Sequence, residues 1–430
     1  MVMMDVAGLV ALLFLALMLC GVWIGVALGA AGMLLYFFRD GLDGLQAVGF
    51  VAFNSLTSYE FVALPLFVFM ATILASCGIS RRLYDSSAAV VGPLPGGLLH
   101  ANIAGSALFA SICGSTAATC AAMSTIGVPE LRRRGYPDGI ALGSLAAGGT
   151  LGPMIPPSLG FIIYGVMTDT SIGQLFMAGI VPGLVIALLF MAYIAGRSAY
   201  LRDGLSEPFL GVRKTLLAVL AIWPVIALFM MVLGTMYLGI ATAVEAGALG
   251  CAGSLVVAAL YRQLTLANLS QALREGVTIS VLIFFVLLGG MILGHGFSNM
   301  GVPQYLISLV VDLNLSRTEF LVIVTVVFLV LGLFMDGAAM MVITLPLIFP
   351  VVLAMDINPV WFGVIMVLFT EMAAITPPVG VNLFVLQGIT KKPLEEISRG
   401  VLPFLLMLVL AEVIFVLYPQ VVLLLPQMMF

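Results

Sequence analysis

The chain has 430 residues, of which 63% are hydrophobic and only 8% charged, with a formal net charge of -4. Soluble domains carry about a quarter charged residues, so lipid is the solvent here and the chain is a polytopic membrane protein. Its longest polar stretch, Arg197 to Lys214, leaves no room for a soluble nucleotide-binding or catalytic domain, and no basic patch points to nucleic acid.

A membrane span needs about 20 apolar residues. No Lys or Arg precedes Arg39, so the first run, 3–20, reads as a retained span rather than a signal peptide. Spans at 22–38 and 60–78 follow. Residues 98–131 are apolar with a polar centre, "LFASICGSTAATCAAM", and fit a re-entrant hairpin of two half-helices. Next comes 137–168, too long for one straight helix and interrupted by Pro156-Pro157, then 179–196. The series then recurs: spans at 215–233, 236–260 and 274–297, a hairpin at 319–352 around "LFMDGAAMMVITLP", a broken span at 360–390 around Pro377-Pro378, and a span at 401–424.

Shifting the sequence by 221 lays Pro156-Pro157 on Pro377-Pro378, and shifting it by 223 lays Gly114 on Gly337. The expected organisation is therefore a repeat at 1–212 and a second at 213–430. Five full crossings per repeat is an odd number, so the second copy should be upside down, an arrangement common in secondary transporters. The fold class expected is all-α, with about ten transmembrane helices and two re-entrant hairpins. With both hairpins re-entrant, fourteen of the sixteen Lys and Arg residues fall on one face, leaving Arg39 and Arg317 opposite. By the positive-inside rule that face is cytoplasmic and both termini are periplasmic.

Glycines and prolines in "GGTLGPMIPPSLG" (148–160) free main-chain carbonyls, and half-helix N-termini beside them present unpaired N–H groups. Freed carbonyls suit a small hard cation such as sodium, and N–H groups suit a carboxylate. "GST" at 114–116 should meet "GGTLG" at 148–152, and "MDG" at 335–337 should meet "TEMAAITPPVGVN" at 370–382. Asp336 reads as an intramembrane carboxylate with a function, while Glu245 and Glu371 are buried by position, each either functional or a structural anchor. Asn382, Ser115, Thr116 and Ser158 are candidates for substrate contact, although Ser and Thr commonly bond to their own helix. His100 and His295 read as interfacial, Trp23, Trp223 and Trp361 as interfacial anchors, and Cys20, Cys77, Cys113, Cys120 and Cys251 as small buried hydrophobes. No "HExxH" or nucleophile motif suggests an intramembrane enzyme, and no Walker-type loop suggests ATP use.

At "LPLFVFMATILASCGIS" (64–80), "GSTAATCAAMSTIGVPELRRRGY" (114–136), "GGTLGPMIPPS" (148–158), "MDGAAMMVITLPLIFPV" (335–351) and "TPPVGVNLFV" (376–385) the chain resembles the large membrane subunit of tripartite ATP-independent periplasmic (TRAP) transporters. The resemblance implies a non-enzymatic, sodium-coupled importer of a small organic acid, a C4-dicarboxylate, sialic acid or similar carboxylate, in the bacterial inner membrane. It implies an elevator motion, no cofactor beyond the coupling ions, a small four-span membrane subunit and a periplasmic substrate-binding protein. It places one sodium site at Gly114, Ser115, Gly149, Thr150 and Gly152, and another at Gly337, Thr370, Thr376 and Val379. Substrate would lie near Thr116, Ser158, Asp336 and Asn382. The alternative is a stand-alone carboxylate symporter or antiporter of related fold.

Overall fold

The computed structural model describes residues 2–378 and 380–429, and all regular structure among them is helical. In the first half, α1 (Val2–Leu19), α2 (Ile24–Leu56), α3 (Ala63–Ser76) and α4 (Ile79–Val91) precede a helical pair, α5 (Leu98–Cys113) and α6 (Thr116–Arg133). A divided helix follows, α7 (Asp138–Met154) and α8 (Leu159–Thr168), and then α9 (Ile172–Leu201). The second half holds α10 (Val212–Leu220), α11 (Trp223–Tyr237), α12 (Ala243–Leu260), α13 (Leu266–Asn299), α14 (Val302–Asp312), the pair α15 (Arg317–Leu331) and α16 (Gly337–Ala354), the divided helix α17 (Pro359–Ile375) and α18 (Val381–Thr390), α19 (Leu394–Leu417) and a short α20 (Pro419–Leu423).

Local chemistry sets these boundaries. Ser316 and Glu319 form a reciprocal capping box at α15, as Thr242 and Glu245 do at α12, satisfying amides that the first helical turn leaves unpaired. Asn358 caps α17 through a 3.0 Å bond from the Trp361 amide. At the other ends the chain turns through left-handed residues, Asp169 after α8 and Lys391 after α18.

Helix starts repeat at a nearly constant offset. Leu98 and Arg317 lie 219 apart, Thr116 and Gly337 lie 221 apart, and Asp138 and Pro359 lie 221 apart. Leu159 and Val381 lie 222 apart, as do Ile172 and Leu394. Inside α2, Gly41 takes φ 65 and ψ -143, so the helix turns there; the piece beyond Gly41 and α3 together occupy the positions that α13 covers without interruption.

Eight described helices are long and apolar enough to cross a membrane, or nine if α10 and α11, bent by 50°, form one span. Ten spans were expected. One of the eight is α16, the second limb of a hairpin, and another is α7 with α8 taken together, while α17 and α18 are each too short alone.

Two helix pairs approach backbone to backbone. Along α2 and α13, a β-carbon on Gly289 would stand 2.5 Å from the Gly25 carbonyl oxygen and one on Gly32 2.7 Å from the Leu293 nitrogen. At the start of α7, Gly139 and Gly143 abut Gly400 of α19, the small-residue contact by which membrane helices gain close packing. Beyond it, α7 is buried from Ile140 to Met154, and α17 from Val360 to Ile375.

The basic loops gather at one end. Asp138 pairs with Arg132 at 3.6 Å and with Lys392 at 2.8 Å, Arg134 pairs with Glu130 at 2.9 Å and with Glu207, and Arg197 pairs with Asp203 at 3.5 Å. Arg82 lies 4.7 Å over the Tyr261 ring. The loops before α7 and after α18 therefore share one end of the molecule. At the far end of α9, Gly173 lies beside Met236 and Met429.

Candidate functional site

The first helix break is built by three adjoining features. α7 ends at Met154, Ile155 is extended at φ -85 and ψ 117, the Pro156-Pro157 bond is cis, and Ser158 restarts the chain as N-cap of α8 by accepting from the Phe161 amide at 3.3 Å. The turn between α5 and α6 sits directly on this break. Gly114 holds φ 60, and a β-carbon there would stand 2.9 Å from the Pro157 carbonyl oxygen and 3.3 Å from the Ser158 α-carbon. From the other side, a β-carbon on Gly152 would stand 2.6 Å from the Ser115 oxygen and 3.0 Å from the Thr116 nitrogen. Glycine is required because each neighbour is main chain and cannot rotate aside.

Buried oxygens without partners surround the same stretch. Ser106 Oγ, Thr119 Oγ1 and Asn382 Oδ1 are enclosed and unbonded. Gly148 faces Ser106, and Gly149 faces Cys120 and the Asn382 amide nitrogen, which donates to the Ala146 carbonyl at 2.9 Å. Polar atoms buried in this way cost free energy unless something completes them, and hard cations take oxygen ligands. The unpartnered atoms are thus of the kind that a hard cation takes. Thr150 Oγ1 donates to the Ala147 carbonyl at 2.7 Å, which leaves its own lone pairs free to accept.

The second break mirrors the first in chain order. α17 ends at Ile375, Thr376 is extended, the Pro377-Pro378 bond is cis, and Gly380 precedes α18; Val379 lies outside the described residues. A β-carbon on Gly337 would stand 2.8 Å from Thr370 Cβ, so the start of α16 rests on α17, and Gly332 abuts Ala373. Thr370 and Thr376 back-bond to their own helix, on Val367 at 2.7 Å and on Met372 at 2.6 Å. A β-carbon on Gly160 of α8 would stand 3.4 Å from Met341 of α16 and 3.3 Å from Val367 of α17, so the two breaks adjoin.

Against known proteins, a family model described as "Tripartite ATP-independent periplasmic transporter, DctM component" matches residues 11–421. The chain belongs to this family, as a TRAP large permease. The C4-dicarboxylate TRAP transporter large permease protein DctM of Pseudomonas aeruginosa is 36% identical over 391 residues, covering 89% of this chain and 90% of that protein. The isethionate TRAP transporter permease protein DctMQ of Oleidesulfovibrio alaskensis is 33% identical over 415 residues, 94% of this chain and 64% of that one. In fold, the permease is similar to the crystal structure of the Alcanivorax borkumensis YdaH transporter, with a TM-score of 0.65 at 14% identity over 94% of this chain and 98% of that one.

Of the four residues named for substrate, the permease brings Thr116 and Ser158 to the same tip, and it sets Asn382 against α7 and against Cys120 of α6. Asp336, the fourth, is exposed and caps α16 at the turn of the second helical pair, accepting from the Ala339 amide at 3.3 Å. Four further assignments differ from expectation. Glu245 is exposed because its carboxylate is spent in the capping box with Thr242. Trp361 is 6% exposed and donates to the Phe415 carbonyl at 3.0 Å, so it is a packing residue and not an interfacial anchor. His100 is 1% exposed, its Nε2 2.8 Å from the Pro95 carbonyl oxygen. Cys20 is exposed.

Sequence reasoning missed the polar chain behind the first break, in which Tyr84 donates to Asn102 at 3.2 Å and Asn102 to Ser144 at 2.7 Å. An asparagine in the apolar run "LLHANIAG" was the signal available. Glu412, which accepts from Thr325 at 2.6 Å between α19 and α15, was missed as well.

Proposed function

We propose that this permease imports a small organic acid across the bacterial inner membrane by sodium symport, taking the substrate from a periplasmic binding protein. The observation carrying this reading is the seating of the 114–116 turn on the α7–α8 break, main chain against main chain, beside Ser106, Thr119 and Asn382 oxygens that lack partners. Sodium completes such oxygens, with Gly114, Ser115, Gly149, Thr150 and Gly152 supplying carbonyls. A second ion takes Gly337, Thr370, Thr376 and Val379. The carboxylate binds at the N-termini of α6 and α8, whose positive dipole ends converge at Thr116 and Ser158.

The two repeats are inverted relative to one another, which places both breaks at mid-depth with hairpins opening to opposite sides. The basic end is cytoplasmic and both termini are periplasmic. Movement follows an elevator mode in which α7, α8, α17 and α18 travel with both hairpins. A small four-span membrane subunit completes the complex. The greater length of the isethionate relative supports this, since over a third of that permease lies beyond the part this chain covers.

Reconstitution with the partner subunits tests the reading through uptake of labelled C4-dicarboxylates and related acids with and without a sodium gradient. Sodium-dependent uptake that also requires the binding protein is expected. Equal uptake without sodium overturns the coupling, and uptake without the binding protein favours a stand-alone carrier.

A further inference from the structure

The cations at the basic end are spent unevenly. Around α6, α7, α18 and α19, Arg132 pairs with Asp138, Arg133 and Arg134 with Glu130, Lys392 with Asp138 and Glu396, and Arg399 with Glu395; among the described residues only Lys391 of that group is unpaired. Across the same end, Arg81 and Arg82 of α4, Arg213 and Lys214 of α10 and Arg262 after α12 are exposed, and none has a carboxylate within 4.0 Å among the described residues. Little acid is at hand to neutralise them. α10 has none, Asp85 of α4 is in no ion pair among the described residues, and Glu207, whose amide donates to the Gly92 carbonyl just beyond α4, is spent on Arg134.

The unpaired cations form one surface. Arg82 lies over the Tyr261 ring, the Tyr261 hydroxyl donates to the Ala221 carbonyl at the end of α10 at 2.8 Å, and Arg262 follows Tyr261 in the chain. Thr215 of α10 donates in turn to the Ala89 carbonyl of α4 at 3.5 Å. The same surface is apolar between its charges. No residue of α10 is buried, and Val212, Leu216 and Leu220, which recur one turn apart and share a side, are each more than half exposed, as is Trp223 just beyond. α10 is bent by 50° from α11, so it leaves the direction of the span that follows. A short helix turned off a span, with bare leucines set among cations, suits the membrane interface, where apolar side chains sink below the headgroups and Lys and Arg reach up to them.

We propose that Arg81, Arg82, Arg213, Lys214 and Arg262, with the exposed face of α10, form a docking surface for anionic phospholipid headgroups. Lipid fits better than a protein partner because these cations stand on three separate elements with apolar side chains between them. Single phosphate charges, each on its own acyl chains, can meet every one of them independently. The contrast across the basic end then has a mechanical meaning. Arg132, Arg133, Arg134 and Lys392 lie on or beside the hairpin and broken helices that travel in the reading above, and acids of this chain neutralise them, so headgroups have little hold on the moving part. The unpaired cations tie α4, α10 and the end of α12 to the leaflet. That second half of the inference rests on the elevator reading; the lipid contact stands without it.

Trp223 reports on this surface, since Trp361 is buried and Trp23 can be replaced by Phe. The complex of a Trp23→Phe permease with a tryptophan-free small subunit is placed in phosphatidylcholine nanodiscs carrying an equal fraction of brominated phosphatidylglycerol or brominated phosphatidylcholine. The anionic lipid should quench Trp223 several-fold more strongly, each cation contributing up to about fivefold to the preference. Combining Arg81→Gln, Arg213→Gln, Lys214→Gln and Arg262→Gln should bring the ratio toward one, and Arg399→Gln, which removes a paired cation, should leave it unchanged. In the unsubstituted protein, raising salt to about 1 M should shrink the preference by screening exposed charges. Equal quenching by the two lipids, or a preference that survives both the four substitutions and the salt, overturns the proposal. It is also overturned if neither lipid reaches Trp223 in the complex while both reach it in the large permease alone, which would give the surface to the small subunit. Quenching is read without transport, so loss of sodium dependence in uptake would count against the symport reading alone.

Discussion

Replacing Gly152 with alanine sets the seating of the first hairpin tip against a single methyl group. The new carbon would meet the Ser115 oxygen at 2.6 Å and the Ser115 carbonyl carbon at 2.7 Å, where ordinary contact begins at 3.4 Å, so the tip must retreat by about 0.8 Å. Both atoms are main chain, so no rotamer relieves the clash. Overpacking of this kind costs about 1–3 kcal/mol. The helix-propensity gain of alanine over glycine, about 1 kcal/mol, accrues whether or not the tip is seated and does not bias the equilibrium. The seated population should therefore fall about 5- to 150-fold. With the complex in proteoliposomes, the half-saturating sodium concentration for uptake should rise by a similar factor while the thermal transition in detergent stays near the wild-type value. Gly196→Ala is the control, since nothing lies within 4 Å of its added carbon. Wild-type sodium dependence in a folded Gly152→Ala protein would refute the idea that seating completes the ion site.

Asn382→Ala removes the bond to Ala146 and strands a buried carbonyl, which costs about 1–3 kcal/mol; a lower thermal transition and lost uptake are expected, and unchanged values for both would sink its assignment. Trp361→Phe keeps the apolar ring but loses the bond to Phe415, so about 1 kcal/mol should go from stability with uptake retained. The Asp138 carboxylate hydrogen-bonded to Lys392, with Glu396 beside it, raises that ammonium above its ordinary value. Because the folded-state value is raised, this stabilisation is fully present below the unfolded value of about 10.4 and is lost as pH rises through the folded one. The gap in thermal transition between wild type and Lys392→Met should accordingly hold through neutral pH and close in strong alkali. Cysteines placed at Arg133 and at Lys392 should react with an impermeant reagent from the same side, the cytoplasm; opposite-side labelling would dismantle the topology.

Breaks and turns were legible because their causes are local. Pro156-Pro157 and Pro377-Pro378 divide helices where the doublets stand, and the expected hairpin bounds 98–131 and 319–352 lie within two residues of the starts of α5 and α15 and the ends of α6 and α16. That residues 114–116 would lie against 148–152 was legible too, since glycines on both sides permit the approach. Part of what escaped notice depends on partners far along the chain and part on local capping. Trp361 reads as an anchor until Phe415, 54 residues on, is seen to take its N–H. Glu245 reads as buried because its window is apolar, yet Thr242 three residues earlier marks a capping box that decides the matter. The amphipathic helices α4 and α14 were not anticipated, because short segments between spans carry no length signal of their own.

The glycine seam joining α2 to α13 leaves no slack between two long rods. Gly32 on one and Gly289 on the other bring main chain to main chain, and Gly25 and Gly296 pack against the Phe285 and Leu35 side chains beside them, so sliding or tilting one rod on the other would drive main chain into main chain. Such a pair behaves as a fixed rail. Whatever moves in this molecule must move past it, and a bulky side chain introduced anywhere along the seam should harm assembly before it harms transport.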